Sequence, residues 1–437
     1  MKFLFSLFFV IGLHFSINAV QDKILREFGF IKAHEQGITG KGVNILVIDE
    51  PVYKNHPSIK GRVTALSAPD SSANELKTHG TIVSSVIVGV DNEGELNGGA
   101  PDSHVYVISA TDFTNTSPSA LPTDVSIVSM SLKYPFRLGH SNFDVFAAKL
   151  TNFLIDNDAI LVVATGNRGR VMLDRRDNGM DQGILFTEVF SHHPKLRERT
   201  VFVSNIHTES STLSKSKSKK LKLIERILKK NNLNADNFLK GIDALVEKSF
   251  NYIYSDIKSY YTQSVFDYEQ FDSDFKSHFY NLLVGKYYSV LDAISQALDS
   301  EDSEGDEFYI STLNTVEQLI KYRIKQQSKK KSYFLVSKSN RPGKLFAGQT
   351  ISAPGVGLWV ANMEKTPKGL KFTSKTASGT SVSAPMITSA IALLLERYPH
   401  FTPRQAAQHL LETSSETKYP GFFGRGILNL NKALQGE

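Results

Sequence analysis

Gly40-Lys-Gly-Val-Asn-Ile-Leu-Val-Ile-Asp49 is the stretch that decides the fold. Val43 to Ile48 is almost unbroken apolar sequence, the mark of a strand buried on both faces. A carboxylate, Asp49, ends it. Val105–Ile108, Val125–Val128, Ile160–Val163 and Val201–Val203 repeat the pattern. Between these runs, His79–Val90 suits a helix of small and β-branched residues. Asn142–Asn157 carries Phe146, Leu150, Phe153 and Leu154 at helical spacing. Strands alternating with helices over residues 27–208 predict an α/β fold, a mostly parallel sheet covered by helices on both faces.

The character changes after residue 208. Ser214–Lys222 is rich in Ser and Lys, and Lys329–Lys331 is a second basic run. Amphipathic helical patterns lie between them, for example Leu239, Ile242, Leu245 and Val246. Residues 209–334 therefore read as a helical insertion into one discontinuous domain, 20–208 with 335–437. At the start, Lys2 precedes an apolar run of about 15 residues, Phe3 to Ile17, and Ala19 offers a small residue before Val20. That is the form of a secretory signal over 1–19, and it falls short of the roughly 20 residues that span a bilayer. The mature protein is expected to be exported, whether secreted, periplasmic or at the cell surface, with no stable membrane span.

Composition narrows the function classes. The 437 residues are 41% hydrophobic and 22% charged, which excludes a wholly disordered chain. The absence of cysteine excludes a disulfide framework, a thiolate metal site and a cysteine nucleophile. A net charge of +6 is mild for this length. The basic stretch 215–230 lacks interleaved aromatics, so no nucleic-acid partner is predicted.

Three residues carry candidate chemistry. Asp49 ends a buried strand, His79 opens a helix, and Ser381 sits in Gly379-Thr-Ser-Val-Ser-Ala-Pro385 ahead of the apolar helix Met386–Leu395. Nucleophilic acyl transfer needs a hydroxyl, an imidazole to take its proton, and a carboxylate to hold the imidazole tautomer. In an open parallel sheet, strand carboxyl ends and helix N-termini meet at one edge, where sites form. A serine at a helix N-terminus also gains from the dipole, which favours an oxyanion.

In order along the chain, several segments resemble the subtilisin-like serine proteases, the subtilases. They are Gly40–Asp49, Thr78-His-Gly-Thr81, Gly98-Gly-Ala-Pro101, Ser129-Met-Ser-Leu132, Ala164-Thr-Gly-Asn167, Ile351-Ser-Ala-Pro-Gly355, Gly379–Pro385 and Gly424-Arg-Gly-Ile-Leu-Asn429. The resemblance covers about 27–208 and 335–437. It implies a subtilisin-like three-layer α/β/α fold and a serine endopeptidase. It makes Ser381 the nucleophile, His79 the general base and acid, Asp49 its orienting partner, and Asn167 the side-chain donor to the oxyanion. It also implies that Ser131, Leu132 and Lys133, with Ala164 and Gly166, bind a peptide substrate as an extended strand. No cofactor is needed for that chemistry.

The chain departs from the family pattern at three places. Glu50 and Pro51 follow the candidate Asp, where a small residue and glycine are usual. Only Val20 to about Arg26 separates the signal from the catalytic domain, where a propeptide is usual, which makes 209–334 a candidate built-in regulator as well as a peripheral decoration. Structural calcium, common in the family, would use Asn92 and Glu93, but Ser58 stands where a ligating carboxylate is expected. The alternative to a protease is a silent subtilase-like domain that binds proteins, with the insertion as its docking module.

Overall fold

The computed structural model describes residues 22–67, 77–90, 98–131, 141–167, 172, 193–208, 333–336, 339, 340, 342, 346–367, 369–417 and 423–435. The chain divides into two units, the second being Thr212–Tyr333. The expected signal segment and helical insertion lie outside the described residues.

The apolar runs form the strands they predict: β1 (Asn44–Ile48), β2 (Val63–Ala65), β3 (His104–Ile108), β4 (Val125–Met130), β5 (Ile160–Ala164) and β6 (Thr200–Thr208). They lie in the order β2-β3-β1-β4-β5-β6, and every neighbour is parallel. Two later strands, β7 (Tyr333–Leu335) and β8 (Thr350–Pro354), also join β6, and β8 does so in parallel. Central β1 meets β3 on one side and β4 on the other. The chain leaves β1 in one direction and β4 in the other, so the two strand ends flank the crevice where open α/β sheets place their sites.

Alternation along the strands sorts the core into two layers. Leu46 and Ile48 of β1, Val128 and Met130 of β4, and Leu161 and Val163 of β5 face one way. They pack with Phe113 from helix α2 (Ala110–Asn115) and with Phe146, Leu150 and Phe153 from helix α3 (Ser141–Asp156). The Phe113 ring meets Phe146 and Phe153 edge-on, at 5.5 and 5.9 Å. The opposite face carries helix α1 (His79–Val88), against β1 and β3, and helix α4 (Thr380–Arg397), against β4, β5, β6 and β8. This is the expected α/β/α sandwich with a mostly parallel central sheet. By the same alternation Asp49 and Ser131, one residue beyond β1 and β4, fall on the side of α1 and α4.

Helix α4 begins six residues earlier than its apolar run suggests, at Thr380, so Ser381 lies inside its first turn. Proline is a helix-stop signal, and Pro385 marks a false boundary. Pro385 lies past the first turn and forgoes one intrahelical bond, to the Ser381 carbonyl, yet α4 runs through it. Buried on all sides from Val382 to Leu394, α4 is a core helix rather than a surface one. Its polar core groups are satisfied: Thr388 Oγ1 donates to Ala384 O at 3.2 Å, and Ser389 Oγ to Pro385 O at 2.8 Å. A surface ribbon, β9 (Leu358–Thr366) with antiparallel β10 (Gly369–Ala377), leads into α4. It is hooked to α1 where the Ala361 N–H donates to Ser85 Oγ at 3.0 Å.

At the far end of α4, Glu396 Oε2 accepts the backbone N–H groups of Thr39, Gly40 and Lys41, at 2.7, 2.6 and 3.1 Å. This carboxylate fixes the loop that feeds β1, and so the height at which Asp49 emerges. Glu396→Ala is expected to lower stability by roughly 2–3 kcal/mol, the scale for losing hydrogen bonds to a charged group. A urea titration reads it as a lower midpoint at unchanged slope.

Candidate active site

Asp49 continues the β1 ladder, its N–H donating to Ile108 O at 3.0 Å, and its side chain is fully buried. Oδ1 accepts twice, from His79 Nδ1 at 2.6 Å and from the Glu50 N–H at 2.7 Å. A carboxylate accepts only, so Nδ1 carries the ring proton and Nε2 keeps the lone pair. The His79 side chain remains 30% exposed. Burial lowers its pKa, but the Asp49 charge, the Asp49 hydrogen bond and the Glu50 charge together outweigh burial and an opposing Lys375, leaving the pKa raised.

His79 is the first residue of α1, and its own N–H donates to Glu50 Oε2 at 3.0 Å. The loop after Asp49 therefore lies flat against the helix. A Cβ on Gly80 would stand 2.0 Å from the Glu50 carbonyl oxygen and 3.1 Å from that of Pro51. Glycine at 80 is what lets the Asp49-Glu50-Pro51 segment approach, which gives the His-Gly pair a steric reason.

Ser381 and Asn167 meet through the start of α4. Its N-cap, Gly379, has φ 147°, a backbone that side-chain-bearing residues rarely adopt, and provides no capping side chain. Asn167 supplies the acceptor instead: Oδ1 takes the Thr380 N–H at 2.9 Å and the Thr380 hydroxyl at 3.2 Å. With Oδ1 committed to donors, the amide Nδ2 is the end left free. A methyl built on Gly379 would lie 3.3 Å from Asn167 Nδ2 and 3.5 Å from Ser381 Oγ, so both atoms border one small space. Among the described residues, neither Ser381 Oγ nor His79 Nε2 has a hydrogen-bond partner. Such contacts are commonly open before substrate binds.

The groove residues divide. Ala164 ends β5, buried. Gly166 is turned inward: its N–H donates to Thr380 Oγ1 at 3.2 Å, and its carbonyl accepts the Asn340 N–H at 2.8 Å. Ser131 follows β4, its Oγ buried and, among the described residues, without a hydrogen bond; Asp49 Oδ2 is in the same condition. Leu132 and Lys133 lie outside the described residues. So do Asn92 and Glu93 of the expected calcium loop. At Ser58 the hydroxyl is engaged with His56 Nδ1 at 2.9 Å, so this position brings no carboxylate to a cation. Among the described residues, no three His, Asp or Glu side chains converge on a metal site.

Three supporting residues escape a reading of the sequence. Thr380 bridges Asn167 and Gly166. Asn340, fully buried, clamps the end of β5 by donating its side-chain amide to Thr165 O at 2.9 Å. Asn205 donates to Gly355 O at 3.1 Å, and that carbonyl in turn accepts the Gly379 N–H at 2.8 Å. Asn340 and Asn205 are far in sequence from what they hold, and no local pattern marks them.

A model of the subtilase family matches residues 40–426. The chain belongs to the subtilase family. It is 34% identical over 85 residues to the thermostable alkaline protease of Halalkalibacterium halodurans, which is 20% of this chain and 22% of that one. To the subtilisin of Bacillus pumilus it is 24% identical over 147 residues, 31% of this chain and 51% of that one. The match thus spans between about a fifth and a half of these relatives' length. Among solved structures, the prenylagaramide maturation protease PagA superposes with a TM-score of 0.48 at 16% identity, covering 93% of this chain and 98% of that one. The PatG macrocyclase domain gives 0.49 at 13%, covering 93% and 94%.

In this subtilase the raised His79 pKa has a direction that can be checked. A histidine whose folded-state pKa is raised adds stability that is complete below its unfolded pKa and fades as pH rises through the folded value. The His79 ring is expected to titrate above about 6.5 in an NMR pH series. In Asp49→Asn burial dominates, and the midpoint is expected to drop below that value.

Proposed function

We propose that this subtilase is an exported serine endopeptidase that cuts peptide bonds through an acyl-enzyme. The observation that carries the reading is the 2.6 Å bond from His79 Nδ1 to buried Asp49, at the sheet edge that also presents Ser381. It leaves Nε2 as the base. Ser381 Oγ attacks the scissile carbonyl and forms a C–O bond while its proton passes to His79 Nε2, and Asp49 stabilises the resulting imidazolium. The carbonyl π-electrons move to oxygen. Asn167 Nδ2 and the Ser381 N–H at the start of α4 are the donors for that oxyanion. Collapse breaks the C–N bond as His79 returns the proton to the leaving amine. Water then attacks the acyl carbonyl as its proton passes to His79 Nε2, and the bond to Ser381 Oγ breaks as His79 returns that proton to Oγ, freeing the acid.

A polypeptide substrate binds as an extended strand beside Ser131–Lys133, using main-chain hydrogen bonds of the kind that add a strand to a sheet. Export rests on the charged, apolar and small-residue order of 1–19. Among the described residues, no helix is long and apolar enough to cross a membrane.

Labelling with a fluorophosphonate probe tests the chemistry. Wild-type protein is expected to label and Ser381→Ala to stay blank; an unlabelled, folded wild type would leave the silent binding domain as the better reading. Asn167→Ala is expected to keep the label and lose roughly 10²–10³-fold in kcat with little change in KM, a scale that comes from a subtilisin itself. Residues 209–334 are the candidate regulator. If they restrain the site, protein lacking them labels faster than the full chain.

A further inference from the structure

We propose that Glu50 is a positioning residue for His79: its carboxylate holds the backbone of the first turn of α1 while Asp49 holds the ring. The proposal deepens the hydrolytic reading of the same site and depends on that reading only for its effect on turnover.

Helix α1 starts without a cap of its own, because the side chain of its N-cap Thr78 makes no capping bond. The first N–H of a helix needs an acceptor, and an anion is favoured there by the helix dipole. Glu50 Oε2 provides both, at 3.0 Å from the His79 N–H. The arrangement closes on itself. Asp49 Oδ1 holds His79 Nδ1 at 2.6 Å and the Glu50 N–H at 2.7 Å, and Glu50 returns to the His79 backbone. Pro51 fixes φ immediately after, and the close approach at Gly80 leaves the loop no lateral room. The residue that looks like a departure from the family pattern thus makes a bond a small side chain there would not reach. The charged groups acting on the His79 ring are Asp49 at the end of β1, Glu50 in the next loop, and Lys375 from β10; the first two raise its pKa and the third lowers it.

The test uses the full chain and two substitutions. Glu50→Gln keeps an acceptor for the His79 N–H and removes the charge, whereas Glu50→Ala removes both. The readouts are the pH dependence of kcat and KM on a peptide substrate, and the NMR titration of the His79 ring. Both variants are expected to move the acid limb and the ring midpoint to lower pH. Lys375→Met is expected to move them the other way. Plateau kcat is expected to fall about tenfold in Glu50→Ala, with KM little changed, and to recover in Glu50→Gln, since slight misplacement of a catalytic group is costly. An unchanged plateau kcat in folded Glu50→Ala would overturn the proposal, wherever the midpoints fall. Should Glu50→Ala fail to fold, Glu50→Ser, whose side chain is too short for the same bond, takes its place in the comparison of plateau kcat with Glu50→Gln. Exchange of the His79 amide that quickens in Glu50→Ala but not in Glu50→Gln, in protein whose Ser381 stays unlabelled, would sink the hydrolytic reading and leave the positioning role standing.

Discussion

Helices α1 and α4 begin without capping side chains of their own, and the loops at the sheet edge supply what they lack. Asn167, just past β5, accepts the first N–H of α4; Glu50, just past β1, accepts the first N–H of α1. Two other helices are capped from their own N-terminal residues. Ser109 caps α2, and helix α5 (Pro403–Glu412) has a full capping box from Thr402 and Gln405. The borrowed caps fall on the two helices that present His79 and Ser381. A local cap would leave each helix free to shift against the sheet. A cap supplied by the sheet sets the distance between helix start and strand end, the distance a catalytic constellation depends on.

The same economy of groups explains the orientation of Asn167. Its amide has two chemically opposite ends, and the α4 donors take the oxygen. The donor end is then presented beside Ser381 without a further residue to aim it. A single side chain both holds the start of the helix that carries Ser381 and borders the small space beside its Oγ.

Much of this was legible in the sequence because parallel strands buried on both faces are continuous apolar runs. Val43–Ile48 and Ile160–Val163 announce themselves, and with them the sheet edge that carries Asp49 and Asn167. The start of α4 was less legible, since Pro385 reads as a boundary and the helix runs through it. The ribbon β9–β10 was not read at all. Its β10 is exposed along most of its length, so no apolar alternation marks it. The supporting shell was invisible for a different reason. Thr165 and Asn340, or Glu50 and the His79 backbone, are joined by hydrogen bonds across sequence gaps that carry no periodic signal. Glu50 was visible as an oddity beside Asp49, but its partner is a backbone group, and backbone groups have no letter in a sequence.

The way β6 recruits its later neighbours has a kinetic consequence. Strands β6 and β7 are neighbours in the sheet, and residues 209–332 lie between them in the chain. The entropy of closing such a loop grows only logarithmically, by about 0.6 kcal/mol for each doubling of length. A long insertion there is therefore thermodynamically mild. Its effect on folding is larger, because the parallel pairing of Phe202–Ile206 with Thr350–Pro354, the strands on which α4 packs, closes across that whole separation. Parallel pairing of this sequence separation places the protein among slow folders, with unpaired strand edges exposed for as long as the search lasts.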